Sequence, residues 1–231
     1  MKYSILKIKM EKKFNLRDVE KFRGYILNSF PEEVKTHNHL GGNKFDYSFP
    51  KLQYRLLKNN LAILALEEAD VINKKIFEFL EYINIDNNMY FDLNKEIETV
   101  DYDIKYLPNS TIKYRFITPY VALNEENYKK YIKGEMLLDK LMAGNILEVL
   151  KGLNYWLDKD QKIVVKSNLK SKNRKLKDVN MLGFEGTFEV NMDLPDYFAL
   201  GKRKAIGYGT FVKEIEVKKW EKDYCFLAYI N

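Results

Sequence analysis

Cysteine is nearly absent: Cys225 is the only one among 231 residues. A disulfide framework or a four-thiolate zinc site is therefore excluded within one chain, and a reducing cytoplasm is the expected compartment. Proline (5) and glycine (11) are scarce, so no long flexible linker separates the halves. No segment reaches the roughly 18–20 apolar residues that a membrane span needs. The longest apolar runs are Leu61–Leu66 and Cys225–Ile230. The N-terminal residues alternate lysine with apolar side chains, whereas a signal peptide follows its basic start with a continuous apolar stretch. No membrane contact is expected. No Ser-His-Asp order, paired-carboxylate motif or carboxylate-rich metal cluster stands out, and Glu67-Glu68 and Glu125-Glu126 read as helix-flanking surface charge. No metal or other cofactor is expected.

What is present suits one large domain or two of roughly 100 residues each. Hydrophobic residues make up 46% and charged residues 31%, which excludes disordered, collagenous and coiled-coil classes. Lysine and arginine (39) outnumber aspartate and glutamate (33), for a net charge of +6. This mild bias permits a polyanionic partner without demanding one. Tyrosine (17) and phenylalanine (14) are abundant. Most of these rings belong in a core, but rings on a basic surface also stack on unpaired bases.

Residues 3–10 alternate, with Ser4, Leu6, Ile8 and Met10 on one face and Lys7 and Lys9 on the other, as in a half-buried strand. Asn15 then caps a helix carrying Leu16, Val19, Phe22, Ile26 and Phe30, which Pro31 ends. Residues 31–50 read mostly as loop. Gln53–Lys58 and Leu61–Glu67 read as strands joined at Asn59-Asn60. Asp70 caps a second helix, and a strand near Met89–Leu93 closes a β-α-β-β-α-β unit. That is the ferredoxin-like plan shared by RNA-recognition domains. The second half nearly repeats it. Ile112–Thr118 is a strand, Asn124 caps a helical stretch reaching about residue 157, and Lys162–Leu169, 184–190 and Tyr208–Val217 are strands. Where the second helix should stand lies a glycine-containing loop. The expected class is therefore α+β, two tandem ferredoxin-like (RRM-like) domains at 1–103 and 104–231 with a C-terminal glycine-rich loop.

Three segments carry candidate chemistry. In the loop, Gly201, Gly207 and Gly209 surround Lys202, Arg203 and Lys204. Such glycines allow close approach to a phosphodiester, and free N–H groups and cations can bind it. A tight turn with solvated lysines is the plainer alternative. The order strand, glycines, strand matches neither the Walker nor the dinucleotide pattern. Residues 159–177 contain Lys166, Lys170, Lys172, Arg174 and Lys175 among eight cations against Asp160 alone, a basic strand and hairpin loop suited to RNA. A solvated loop would look the same. His37 and His39 are the only histidines. In an extended piece they point the same way, with α-carbons roughly 6–7 Å apart. Imidazoles so placed can flank one phosphodiester, one taking the 2′-hydroxyl proton and the other protonating the leaving 5′-oxygen. Two ordinary surface histidines would share that spacing. Lys51 and Tyr54 follow closely as candidates to reach the phosphate, although Tyr54 fits a strand core equally well.

The segment Leu200-Gly-Lys-Arg-Lys-Ala-Ile-Gly-Tyr-Gly-Thr-Phe211 resembles the C-terminal glycine-rich loop of the RAMP superfamily of CRISPR-associated proteins. His37-Asn-His39, followed by Phe49-Pro-Lys-Leu-Gln-Tyr-Arg55, resembles the N-terminal region of the b-type branch of the sixth Cas family. Phe49 stands where tyrosine is more usual. The resemblance implies tandem ferredoxin-like domains and metal-independent cleavage of CRISPR repeat transcripts to release crRNA, with His37 and His39 as catalytic residues. Repeat RNA is then the partner. Other Cas proteins of an effector complex stay open as further partners, as do monomer and homodimer. The competing readings are a non-catalytic RNA-binding protein and a structural crRNA-binding subunit.

Overall fold

The structure, a computed structural model, describes residues 1–31, 49–176 and 179–214. In chain order the first half holds β1 (Lys2–Lys9), α1 (Leu16–Ser29), β2 (Leu52–Leu57), β3 (Asn60–Leu66), α2 (Asp70–Phe79), β4 (Ile83–Ile85), β5 (Asn88–Tyr90) and β6 (Asn94–Asp101). The sheet order is β2-β3-β1-β6, antiparallel throughout, which is the ferredoxin-like order. The second half holds β7 (Lys105–Tyr106), β8 (Ile112–Phe116), α3 (Glu125–Ile132), α4 (Leu138–Gly152), β9 (Val165–Leu176), β10 (Val179–Val190), β11 (Met192–Asp193) and β12 (Phe211–Lys213). Its sheet runs β12-β8-β10-β9, the same order once the loop 194–210 takes the place of the missing helix.

Local signals explain most of these elements. Asn15 caps α1 with a reciprocal box: its side chain accepts from Arg17 N, and Asp18 accepts from Asn15 N, both at 2.9 Å. The β2–β3 turn is centred on Lys58-Asn59, one residue earlier than expected, because both take positive φ (50° and 65°) as a two-residue hairpin turn requires. Asp70 is the first residue of α2 rather than its cap. A 3₁₀ turn at Glu67–Ala69 already runs into the helix, and Asp70 instead pairs with Lys74 at 2.7 Å.

Three expectations need larger correction. The segment around residues 88–90 forms only a hairpin with β4, and the strand that closes the first sheet is β6. β6 is an edge strand whose charged residues, Glu96 and Glu98, mask its period. The helical stretch after Asn124 is two helices, because Gly134 takes φ 72° and ends α3; Trp156 lies beyond α4 and is 71% exposed. The first sheet is not half-buried. Leu6, Ile8, Leu61, Ile63 and Ala65 face α1 and α2, while Tyr3, Ile5, Ala62, Leu64 and Leu66 belong to the core of the second half.

That second core also takes in Phe116, Phe184, Phe188 and Phe211 of the other sheet, Ile146 and Val149 of α4, and Leu194, Phe198 and Leu200 of the loop. The loop therefore fills the space between the sheets, where Phe198 meets Tyr3 edge-on at 5.5 Å. No helix among the described residues is long and apolar enough to cross a membrane.

A core shared by both halves should unfold as one unit. Urea denaturation is expected to give a single transition. Phe198→Ala, at 1% exposure, should lower stability by about 3–5 kcal/mol without splitting the transition. Two separate transitions in the unmodified protein would contradict the shared core.

Candidate nucleic-acid interface

β2 presents alternate residues to the two sides of its sheet. Leu52 and Tyr54 face the helices, and Leu57 packs with the second half. On the same side as Leu57 stands Arg55, which is fully buried. Its Nε donates to the Tyr197 carbonyl and its Nη1 to the Lys204 carbonyl, both at 2.7 Å; Nη1 also donates to Tyr54 O at 2.9 Å. Its Nη2 donates to Gln53 Oε1. Burial pulls its pKa below the ordinary arginine value. The glycine loop of the second half is thus bonded to a strand of the first.

The glycines serve this internal fit. Gly201, Gly207 and Gly209 take φ of 79°, 84° and 67°. A Cβ on Gly209 would stand 2.1 Å from Leu200 O, and one on Gly201 2.5 Å from Val121 O. Thr118 and Thr210 hydroxyls donate to Gly207 O at 2.6 and 2.9 Å. The N–H groups of Leu200, Lys202, Ile206, Gly207, Tyr208 and Gly209 all bond to protein carbonyls. The expected row of free backbone donors is therefore largely consumed inside the protein, and what the loop offers outward is side chains.

Its three cations differ. Lys202 is exposed and has no partner among the described residues. Arg203 reaches across to Glu20 of α1 at 3.9 Å. Lys204 is tied down: its ammonium pairs with Glu148 of α4 at 2.5 Å, lies 5.3 Å from the Phe49 ring centroid, and its side chain is 12% exposed. Lys166, Lys170 and Lys172 stand exposed on one face of β9, and Lys172 approaches Glu185 at 3.8 Å. Arg174 and Lys175 continue β9 by backbone register, opposite Met181 and Asn180.

Between the loop and this hairpin lies a groove of about 610 Å³. Its floor is Val121 and Leu123, its rims are Lys202 and Arg203 on one side and Asn173 and Met181 on the other, and Tyr128 of α3 stands in it, 46% exposed. Sequence reasoning missed Tyr128. The Asn124 cap was its only signal, since it fixes which turn of α3 meets the loop. A second cleft, of about 660 Å³, opens between the halves near Lys7 and Lys9. Those lysines are neutralised by Glu98 and Glu96 at 2.8 and 2.5 Å.

Of the four candidate catalytic residues, His37 and His39 lie outside the described residues. Lys51 pairs with Glu67 at 2.5 Å. Tyr54 is a core residue at 2% exposure, edge-on to Phe22. Burial pushes its hydroxyl far above the ordinary tyrosine range, and that hydroxyl has no hydrogen-bond partner among the described residues. So placed, Tyr54 supports the sheet and does not face a substrate.

Comparison with known proteins agrees with this architecture. A model of the Cas6b N-terminal domain matches residues 1–103, and a model of the Cas6b C-terminal domain matches residues 106–214. A crystal structure of Cas6b is 30% identical, with a TM-score of 0.77 over 93% of this chain and 100% of that one. A second structure, described as a CRISPR RNA processing endoribonuclease Cas6b, is 27% identical, with a TM-score of 0.66 over the same shares. An uncharacterised protein of Methanocaldococcus jannaschii is 35% identical over 107 residues, 44% of this chain and 72% of that protein.

The unequal environments of the loop cations predict unequal effects on RNA binding. Lys202→Ala should flatten the log–log salt dependence by about 0.7, the loss of one phosphate contact on single-stranded RNA. Lys204→Ala should leave that slope unchanged and lower the melting temperature instead. Equal slope changes in titrations of the two variants would show that Lys204 leaves Glu148 to reach the RNA.

Proposed function

The chain belongs to the Cas6b family, and from that premise we propose that it is a metal-independent endoribonuclease that cuts CRISPR repeat transcripts to release crRNA. One observation supports this most. The stretch Phe49–Arg55, which follows the two histidines in sequence, is bonded directly to the glycine loop, through Arg55 on the Lys204 and Tyr197 carbonyls and through Phe49 beneath the Lys204 ammonium. The stretch that follows the histidines in sequence and the loop suited to holding phosphates are therefore in contact. In this reading residues 1–103 supply the chemistry, and residues 104–231 hold the RNA along the groove, Lys202 and the β9 lysines.

Ribose carries its own nucleophile, so the protein need only align the 2′-oxygen with the scissile phosphate and move two protons. One of His37 and His39 takes the 2′-hydroxyl proton, and the other donates to the departing 5′-oxygen. The upstream product ends in a 2′,3′-cyclic phosphate and the downstream product in a 5′-hydroxyl. With Tyr54 in the core and Lys51 held by Glu67, the two histidines carry the proton transfers in this scheme.

Incubation of purified protein with its repeat transcript in excess EDTA should give a single cut. A 2′-deoxy substitution before the scissile phosphate should abolish that cut and spare binding. His37→Ala or His39→Ala should slow it by about 10²–10⁴ with RNA affinity nearly intact. A requirement for added divalent metal would replace the acid–base scheme with metal-assisted hydrolysis. Tight binding without any cut would leave an RNA-holding protein.

A further inference from the structure

The strand that follows the histidine-bearing stretch and the glycine loop are linked by a closed circuit of contacts. Gln53 Nε2 donates to the Pro50 carbonyl at 2.8 Å, and Gln53 Oε1 accepts from Arg55 Nη2. Arg55 then donates to Tyr197 O and Lys204 O, both at 2.7 Å. The circuit closes at Lys204, whose ammonium sits over the ring of Phe49, the neighbour of Pro50. Gln53 is 1% exposed and Arg55 0%, so neither can touch a bound RNA.

The chemistry of these partners points away from a simple stabilising role. A buried guanidinium is neutralised most directly by a carboxylate, and among the described residues this one has none. Carbonyl acceptors give less charge compensation but more direction. The rigid planar fork can satisfy several acceptors only if their peptide units hold one mutual geometry. Two of those units are loop peptides lying 142 and 149 residues further along the chain. The same circuit fixes Pro50 through Gln53. A second clamp acts on its neighbour: a Cβ on Gly152 of α4 would stand 2.2 Å from a Phe49 ring atom, so the ring occupies space that only glycine leaves.

From this geometry we infer that Arg55 and Gln53 are positioning residues for RNA cleavage, holding the glycine loop in register with Phe49 and Pro50, which follow the histidines in sequence. The inference rests on the ribonuclease reading above. It assigns neither residue to the reacting atoms. It places in this pair the alignment between the glycine loop and the stretch from Phe49 that follows the histidines in sequence.

Two variants test it against a merely structural role. Gln53→Glu sets a carboxylate against the Arg55 guanidinium, which should hold the melting temperature at or above that of the unmodified protein. It also removes the donor to Pro50 O. Arg55→Lys keeps the charge but cannot span both loop carbonyls and Gln53. Each is assayed below its melting temperature with a transcript of the cognate repeat. Single-turnover cleavage should fall about 10- to 100-fold in each, as expected for displaced reacting groups, while RNA affinity stays within about threefold. Limited digestion with trypsin should cut Arg55→Lys faster after Lys202 or Arg203 than it cuts the unmodified protein. Cleavage of RNA at the unmodified rate by both variants would overturn the inference and leave Arg55 a structural staple. An unmodified protein that cuts no RNA defeats the ribonuclease reading itself. The trypsin comparison needs no activity, and an unchanged digestion pattern in Arg55→Lys would show that Arg55 does not set the loop.

Discussion

Arg55 carries a positive charge into the interior of the molecule and spreads it over three backbone carbonyls and one amide oxygen. Removing such a charge from water costs several kcal/mol, and the site is tolerable only if each N–H of the fork finds an acceptor. That condition dictates much of what surrounds it. The loop must turn its Tyr197 and Lys204 carbonyls inward. To do so it passes through left-handed backbone at Arg203 as well as at its three glycines. Its own N–H groups are then used up on Val121, Pro119 and nearby carbonyls, which is why what the loop offers outward is side chains. The glycines are thus an internal requirement first, and an invitation to phosphate only through Lys202 and Arg203.

The same docking explains why the first sheet offers no open face for stacking bases, as an isolated RNA-recognition domain would. Both of its faces are covered. The run Leu61–Leu66 already carries that information, since a strand with one wet face alternates, whereas one buried on both sides reads as continuous apolar sequence. β1 conceals it. Lys7 and Lys9 suggest a solvent face, yet Tyr3 and Ile5 lie on that face and are 4% and 2% exposed. The strand passes from interior to cleft along its length, and a period-two reading averages over the change.

What the sequence made legible was governed by local chemistry. The Asn15 and Asn124 caps, the first three strands of each four-stranded sheet and the loop replacing a helix follow from side chains acting within a few residues. What it concealed depends on distant partners. Nothing near Lys204 distinguishes it from Lys202; the difference is made by Glu148 and Phe49, which lie 56 and 155 positions away. Arg55 reads as an exposed polar residue of an alternating strand until the second half covers it. Gly152 falls inside the helical stretch read to about residue 157, and only the Phe49 ring shows why no larger residue fits. The candidate site was therefore legible as two segments, and the contacts that unite them were not.

Charge is unevenly distributed along the chain. Residues 67–103 hold eleven of the 33 acidic side chains and only three of the 39 basic ones. α2, the β4–β5 hairpin and β6 all fall in this stretch, so one flank of the first half repels a polyanion. β6 does more than repel. Its Glu96 and Glu98 neutralise Lys9 and Lys7, which leaves Lys58 and Arg115 as the cations lining the cleft beside β1 that have no ion pair among the described residues. Among the described residues Lys202, Lys166 and Lys170 are also without an ion pair, and Lys202 lines the groove that contains Tyr128. The modest net charge of +6 is thus the sum over segments of opposite sign. Within a Debye length of about 8 Å at physiological salt, an approaching RNA responds to the nearer surface and not to the total. In the proposed reading that nearer surface is the glycine loop and the β9–β10 hairpin, the side on which Arg55 holds the loop.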